Sequence, residues 1–428
     1  MEEQGGLPDT RKFQEGEYMY IERAIESTIR QVSKEKSVVM ICGPRGCGKT
    51  TMLQHLAGKD RSYVSLEDPK ACNLARSDPK AFLREYKAPL IIDEIQLAPE
   101  LLPVLKAVAG AAKRKGVYWL ACSNAGRVQE IHEAFGSLLT ELQLFGLSDA
   151  EIYEYESIPY TTSADRLMKR VEMCPERDLH EIFSRIFTGS FPELYKEPDE
   201  DPSAFYARYI DNLLLEDFAE IVESGNEESF RRFLTVAAAS AAKPLAYEEM
   251  AHSCAISVPT LMKWMKMLQD TYLVRILEPF SDPGLKRTLK ISVMHFLDTG
   301  LAAYLLKWND PVSLQNGYNA AAFFETHVYE EILKSYLNAG TEPDLFYFRD
   351  KDRHELALIL EEGELISPIS IKMSPSPGTP ALRNFKALEP LRGAAGPPRK
   401  IAVGNILCPA AELRPLDAET WVVPCWLI

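Results

Sequence analysis

The run Gly43-Pro44-Arg45-Gly46-Cys47-Gly48-Lys49-Thr50 fits the template G-x-x-x-x-G-K-[ST] at every fixed position, and no other stretch constrains this chain as strongly. A loop that wraps a polyphosphate must bring its own N–H groups close to the anion. Gly43, Gly46 and Gly48 permit that approach because they lack a Cβ and reach positive φ freely. Lys49 reaches the β- and γ-phosphates as a point charge, and Thr50 offers its hydroxyl to a phosphate-bound Mg²⁺. The flanks read as the motif requires: the run Ser37 to Cys42 suits a buried parallel strand, and Thr51 to Ala57 reads as a helix ended by Gly58. A helix opening at Lys49 adds unpaired N–H groups and the positive end of its dipole. With Pro44, Arg45, Cys47 and Thr51, these residues make a pocket expected to bind ATP and Mg²⁺.

The second half of such a site is visible in Pro89 to Ile95, an apolar strand that ends in Asp93-Glu94. Asp93 suits the Mg²⁺ shell beside Thr50, and Glu94 suits polarisation of the attacking water. Val117 to Cys122 is another apolar strand and runs into Ser123-Asn124, where a polar tip either senses the γ-phosphate or simply turns the chain. The assignment is Glu94, Lys49, Ser123 and Asn124 as catalytic, and Thr50 and Asp93 as metal-binding.

Four stretches around this site, Gly43 to Thr51, Tyr63 to Pro69, Ile91 to Gln96 and Pro99 to Pro103, together with Gly189 to Glu193 and Phe296 to Gly300, resemble a prokaryotic family of AAA-type ATPases that carry a C-terminal domain of uncharacterised function. The resemblance covers most of the chain. It implies an α/β fold in which an AAA-type parallel sheet with flanking helices is followed by a helical and winged-helix segment and a C-terminal domain similar to restriction-endonuclease-like folds. One point departs from the family: relatives have a Gly-Arg pair, a candidate transition-state finger, where this chain has Ser137-Leu138, and Arg127 is the nearest substitute. An arginine there is worth several orders of magnitude in rate, so its absence bears on how fast ATP turns over.

At 428 residues the chain exceeds one core. Its expected divisions are 1–155 for the ATPase core, 156–229 for a helical connector, 230–295 for a winged helix-turn-helix and 296–428 for the last domain. The first forty residues read as helical from Tyr18, Ile21, Ala24, Ile25, Thr28 and Ile29; Pro69 and Pro79 read as breaks, with a helix between Pro79 and Tyr86 that ends at Pro89. An acidic, polar N-terminus and the lack of an apolar run of about 18 residues point to the cytoplasm, without a membrane span. Eight scattered cysteines without a C-x-x-C pair read as reduced thiols, and the seven histidines lack metal-ligand spacing.

A net charge of −14 argues against a protein that coats nucleic acid, yet the stretch from Phe230 to His295 carries nine Lys and Arg against five acids. Tyr247 to His252 reads as one helix, Ser257 as the cap of a second from Val258 to Leu268, and Tyr272 to Leu277 and the run through Ile291 as two strands. Lys263, Lys266, Arg275, Lys286 and Arg287 are the residues through which DNA would be met, with a protein partner as the alternative. In the last domain, Phe323 to Ile332 reads as a helix and Leu345 to Phe348, Leu356 to Leu360 and Ile366 to Ile371 as strands. Nuclease-like relatives carry an Asp on the second strand and Glu-x-Lys on the third, whereas the matching positions here are Ala357 and Ser370, with Lys372 kept and Glu325 on the helix. The resemblance therefore implies a nuclease fold without nuclease chemistry. Two functions remain open: an ATP-hydrolysing motor or switch, expected to be a homo-oligomer, that acts on DNA or a protein, and a nucleotide-gated binding protein with little turnover.

Overall fold

The apolar runs on either side of the phosphate loop become a five-stranded, wholly parallel sheet in the order β2-β3-β4-β1-β5. Its strands are β1 (Val38–Cys42), β2 (Ser62–Ser65), β3 (Leu90–Asp93), β4 (Tyr118–Cys122) and β5 (Leu139–Gln143). The computed structural model describes residues 20–196, 200–285, 288–393 and 399–428. Strands β1, β3 and β4 are buried along their whole length, as a parallel sheet covered on both faces demands. Alternation sends Val39, Ile41, Ile91 and Trp119 toward helices α1 (Glu26–Glu35) and α2 (Lys49–Ala57), where Ile29, Met52 and Leu53 meet them.

The opposite face, with Met40, Ile92 and Leu120, shares one core with helices α3 (Pro69–Ser77), α4 (Pro79–Glu85), α5 (Leu102–Ala111) and α6 (Val128–Phe135). The helix expected between Pro79 and Tyr86 is α4, whereas Pro69, read only as a break, opens α3. Each proline opens its helix, where a missing N–H costs nothing, and Asp68 and Asp78 cap the two ends through Lys70 N and Ala81 N. Among the described residues the helix expected in the first forty is α1: Ile21 and Ala24 precede it, and Tyr18 lies outside the described residues.

Helices α7 (Asp149–Ile152), α8 (Ala164–Arg170), α9 (Leu179–Thr188), α10 (Glu193–Lys196), α11 (Pro202–Glu216) and α12 (Ala219–Glu223) follow. Next come α13 (Glu227–Ala239), α14 (Tyr247–Cys254) and α15 (Val258–Asp270), the last capped by the Ser257 hydroxyl. An antiparallel pair closes this segment, β6 (Val274–Leu277) with β7 (Val293–Phe296); the second strand thus begins after the Ile291 at which the sequence pattern places its end.

Helices α16 (Thr299–Leu305), α17 (Pro311–Gln315) and α18 (Ala320–Asn338) lead into a mixed seven-stranded sheet. Its strands are β8 (Asp344–Arg349), β9 (Glu355–Glu362), β10 (Leu365–Ile371), β11 (Lys400–Ile401), β12 (Gly404–Cys408), β13 (Arg414–Pro415) and β14 (Thr420–Pro424). Strands β8, β9 and β10 pair antiparallel, and β10, β12 and β14 pair parallel. Among the described residues no helix is long and apolar enough to cross a membrane.

Helix α18 is buried almost all round, so its polar residues must be satisfied inside the protein. Glu331 and Lys334 are, by a charge network that binds the exit of the parallel sheet to α9 and α18, whereas Glu330 Oε1 and His327 Nδ1 have no hydrogen-bond partner among the described residues. The Asp149 carboxylate takes Nε of Arg185 at 3.0 Å and Nη1 of Arg177, and its backbone N–H donates to Glu331 Oε2 at 2.8 Å. Lys334 Nζ donates to Glu331 at 2.5 Å and to the Leu147 carbonyl at 3.0 Å. Burial opposes ionisation of Asp149, but Arg177, His327 and Arg185 outweigh it and hold the carboxyl well below its usual range. Asp149, His327 and Glu331 could converge on a metal ion geometrically. Three protein cations already supply the positive charge, and we read the cluster as structural. Arg185→Met should lower the unfolding free energy by about 3–5 kcal/mol, since it strands buried carboxylates; chemical denaturation beside the wild type measures it, and a loss under about 1 kcal/mol would contradict this reading.

Candidate nucleotide site

The loop between β1 and α2 is held from below and from behind. Gly43 passes so close to the segment after β5 that a Cβ there would lie 1.9 Å from the Leu144 carbonyl oxygen. Only glycine fits. Gly48, at φ 95°, turns the chain into α2. Among the described residues the N–H groups of Gly46, Cys47, Gly48 and Lys49 donate to no protein acceptor, which leaves a row of donors at a helix N-terminus. Lys49 is buried, with Nζ donating to the carbonyls of Gly43 and Pro44 at 2.8 Å each. Cys47 is buried and its Sγ donates to Leu144 O, while Thr51 is exposed in the first turn of α2.

The acid-tipped strand lies beside this loop. Thr50 Oγ1 donates to Asp93 Oδ2 at 2.5 Å, and Tyr63 OH donates to the same oxygen at 3.0 Å. Burial raises the Asp93 carboxyl above its ordinary range; the Thr50 bond opposes the rise and neighbouring Glu94 adds to it. A divalent cation there would relieve both the burial and the repulsion, so the donor set fits Mg²⁺. Glu94 adopts a left-handed conformation, φ 54°, that turns its buried side chain to β4. There Ser123 Oγ donates to Glu94 Oε2 at 2.5 Å, and Gln96 Nε2 bridges the two residues. Asn124 is half-buried, has no hydrogen bond to Glu94, and directs its amide oxygen toward Gly126. The structure thus brings Lys49, Thr50, Asp93, Glu94 and Ser123 together and leaves Asn124 at the margin.

Two contributions escaped sequence reasoning. Arg23 ties the loop down: Nη1 donates to Cys47 O at 2.7 Å, Nη2 to Phe145 O at 2.8 Å, and Nε to Glu151 at 2.9 Å. The visible trace is Ser148-Asp149-Ala150-Glu151, a capping-box spacing whose glutamate is also the partner of Arg23. The connector, second, walls the loop: Phe191 and Tyr209 face Gly46, and Pro192 faces Gly48. Asp298 fixes that wall by accepting from Ser190 N and Oγ and from Tyr206 OH, each at 2.6 Å, so the Gly189 to Glu193 and Phe296 to Gly300 stretches meet. Arg45, expected in the pocket from the sequence, lies at the rim, paired with Glu67 at 2.6 Å and with Glu216 and Asp217 at 3.0 Å, and within electrostatic reach of Glu94. Arg127, by contrast, is exposed and pairs with Glu130 at 3.3 Å.

A parallel sheet, a glycine loop feeding a helix N-terminus and an acid pair on a nearby strand define a P-loop nucleotide-binding domain. In particular, residues 35–153 match the AAA domain family, and residues 179–312 and 320–428 match two domains of unknown function, DUF8612 and DUF4143. The chain thus carries a match to the AAA domain at residues 35–153 and to DUF4143 at residues 320–428. Two curated relatives, the uncharacterized proteins Rv2008c of Mycobacterium tuberculosis and Mb2031c of Mycobacterium bovis, are each 27% identical over 347 residues, which covers 80% of this chain and 72% of theirs. Among solved structures the chain is similar to a Walker-type ATPase of Pyrococcus abyssi, at 11% identity and a TM-score of 0.41, over 67% of this chain and 96% of that one.

In the C-terminal domain, burial pushes Glu325 up to about 8, Glu355 adds to the rise and Lys372 opposes it, which places these three charges within reach of one another. Glu325 is then protonated when folded and ionised when unfolded between its usual 4.5 and about 8. Its contribution to stability is full below 4.5 and is lost as pH rises through about 8. Glu325→Gln should flatten that decline in melting temperature; an unchanged pH profile would remove Glu325 as its source.

Proposed function

We propose that this protein binds ATP with Mg²⁺ at the Gly43 to Thr51 loop and hydrolyses it to change its contact with a partner. The observation that carries this reading is the Thr50 hydroxyl on the Asp93 carboxylate at 2.5 Å, beside a row of unpaired loop N–H groups. In this scheme the N–H groups of Gly46 to Lys49 take the phosphate oxygens, and Lys49 leaves the Gly43 and Pro44 carbonyls for the γ-phosphate. Thr50 and Asp93 hold Mg²⁺, which would neutralise charge on the phosphates. Glu94, held by Ser123, accepts the proton of the attacking water. Arg45 and Asn124 border the γ-phosphate.

A second reading, an ATP-gated switch with little turnover, draws on Arg127, whose pairing with Glu130 on the surface leaves it outside the site. We assign the partner surface to α14, α15, β6 and β7, arranged as a winged helix. A protein partner is favoured there over DNA, because three of the cations that would meet DNA are engaged: Lys263 with Glu220, Lys266 with Asp270 and Arg275 with Glu342. The other two, Lys286 and Arg287, lie outside the described residues. Asp270 also lies against Gly126, close to Ser123, which offers a route from nucleotide to partner. For the C-terminal domain we propose no nuclease chemistry, since Ala357 and Ser370 stand where the metal-binding acids would be.

Glu94→Gln should bind ATP as the wild type does and lose at least about 100-fold in kcat, and Lys49→Ala should lose binding by about tenfold or more, ~1.4 kcal/mol. Retained turnover in Glu94→Gln would remove Glu94 as the base. Normal ATP binding by Lys49→Ala would overturn the pocket itself.

A further inference from the structure

The opposite edge of the parallel sheet has a different character. Strands β2, β3 and β4 begin side by side, with Ser62 N on the Pro89 carbonyl and Leu90 N on the Val117 carbonyl, both at 3.1 Å. The short loops that lead into them are Gly58 to Arg61, Lys87 to Pro89 and Ala112 to Gly116. These loops carry six cations, Lys59, Arg61, Lys87, Lys113, Arg114 and Lys115, against the single acid Asp60, in a chain of net charge −14. Five are exposed. The sixth, Arg61, is half-buried, stacked 3.9 Å over the Trp119 ring. Among the described residues none of the six forms an ion pair, in contrast to Lys263, Lys266 and Arg275. Burial and the neighbouring Arg114 lower Arg61 to about 10, against a smaller opposing pull from the Asp60 carboxylate.

We propose that this cationic edge binds the phosphate backbone of a nucleic acid, at a site separate from α14 and α15. The proposal does not depend on ATP turnover. Adjacent strands are about 4.8 Å apart, so three strand starts spread flexible cations over a width that several duplex phosphates occupy, at about one charge per 1.7 Å of axis. Among the described residues these cations have no ion-pair partner, and the five exposed ones stand on the surface while Arg61 is held over Trp119. A membrane surface fits less well, because interfacial binders add exposed aliphatic or aromatic side chains to their cations. The three loops hold none, only Gly, Ala, Pro and Asp besides the cations. One competing role is local. Helices α2, α4 and α5 end at this edge, and cations offset the negative ends of helices. Stability and binding must therefore be read separately.

The test is fluorescence anisotropy of a labelled duplex of about 20 base pairs, titrated with the full chain across a salt series. The wild type should bind, with affinity that falls steeply as salt rises. Lys113→Ala/Arg114→Ala/Lys115→Ala should bind at least about tenfold more weakly, with a slope of log affinity against log salt reduced by about 2.7, or 0.9 per contact. Its melting temperature and ATP binding should match the wild type, and Lys263→Ala/Lys266→Ala should leave DNA affinity unchanged. If the triple variant does not fold, Lys59→Ala/Lys87→Ala carries the same expectation with a slope reduced by about 1.8. Absence of DNA binding by the wild type, or full affinity in the loop variants, overturns the proposal. A lower melting temperature with unchanged affinity assigns the cations to the helix ends and overturns it equally. Binding to phosphatidylserine vesicles without binding to duplex overturns it in favour of a membrane.

Discussion

A buried carboxylate that must never be left without its arginines sets the arrangement of this protein. Asp149 follows the last strand of the parallel sheet directly, and its ionised form is tolerated in the interior only because Arg177 and Arg185 reach it. Arg185 stands on α9, and Glu331 and Lys334 on α18 complete the charge balance. Three segments far apart in sequence are therefore fixed to one another by groups that cannot afford to separate. Alternative arrangements of the same helices would bury at least one uncompensated charge, so the network acts on uniqueness as well as stability.

That fixation is what gives the nucleotide loop its surroundings. The same exit segment supplies Leu144 O behind Gly43 and the Phe145 and Gly146 carbonyls to Arg23, whose other donors hold Cys47 and Glu151. Helix α9 ends at Gly189, and the chain then places Phe191 and Pro192 on the loop. The Gly189 Cα lies 2.7 Å from where a Cβ on Gly300 would stand, a close approach that Asp298 secures through Ser190 and Tyr206. The loop is therefore bounded by residues on both sides of the chain's midpoint. Motion of α11, which carries Glu216 beside Asp217, would be felt at Arg45.

Much of this was legible. The glycine loop, the acid pair and the strands that present them follow local rules: a period-free apolar run for a strand buried on both faces, and glycine where a Cβ would collide. The helix that Pro79 opens was legible, but Pro69 misled because proline breaks a helix interior and suits its first turn, and only Asp68 before it distinguishes the two cases. Strand β5, with Thr140, Glu141 and Gln143, was invisible because an edge strand half exposed to solvent does not need a continuous apolar run. The wall of the site was hidden for a different reason. Phe191, Tyr209 and Arg23 touch the loop across long separations, and nothing in their neighbours' composition records a tertiary contact. Three cations of the expected DNA face were read from sequence as free charge, whereas the structure pairs each with an acid from another turn or another segment.

The central claim is that ATP is held by the Gly43 to Thr51 loop, which Phe191, Pro192 and Tyr209 pack against and support. Hydrogen–deuterium exchange on the full chain, with and without ATP and Mg²⁺, tests it most directly. The account predicts slowed exchange both at Gly46 to Thr50, whose loop N–H groups have no protein acceptor, and in the segments around Phe191 and Tyr209. No protection at the loop would contradict the site, and protection of the loop alone would contradict the wall.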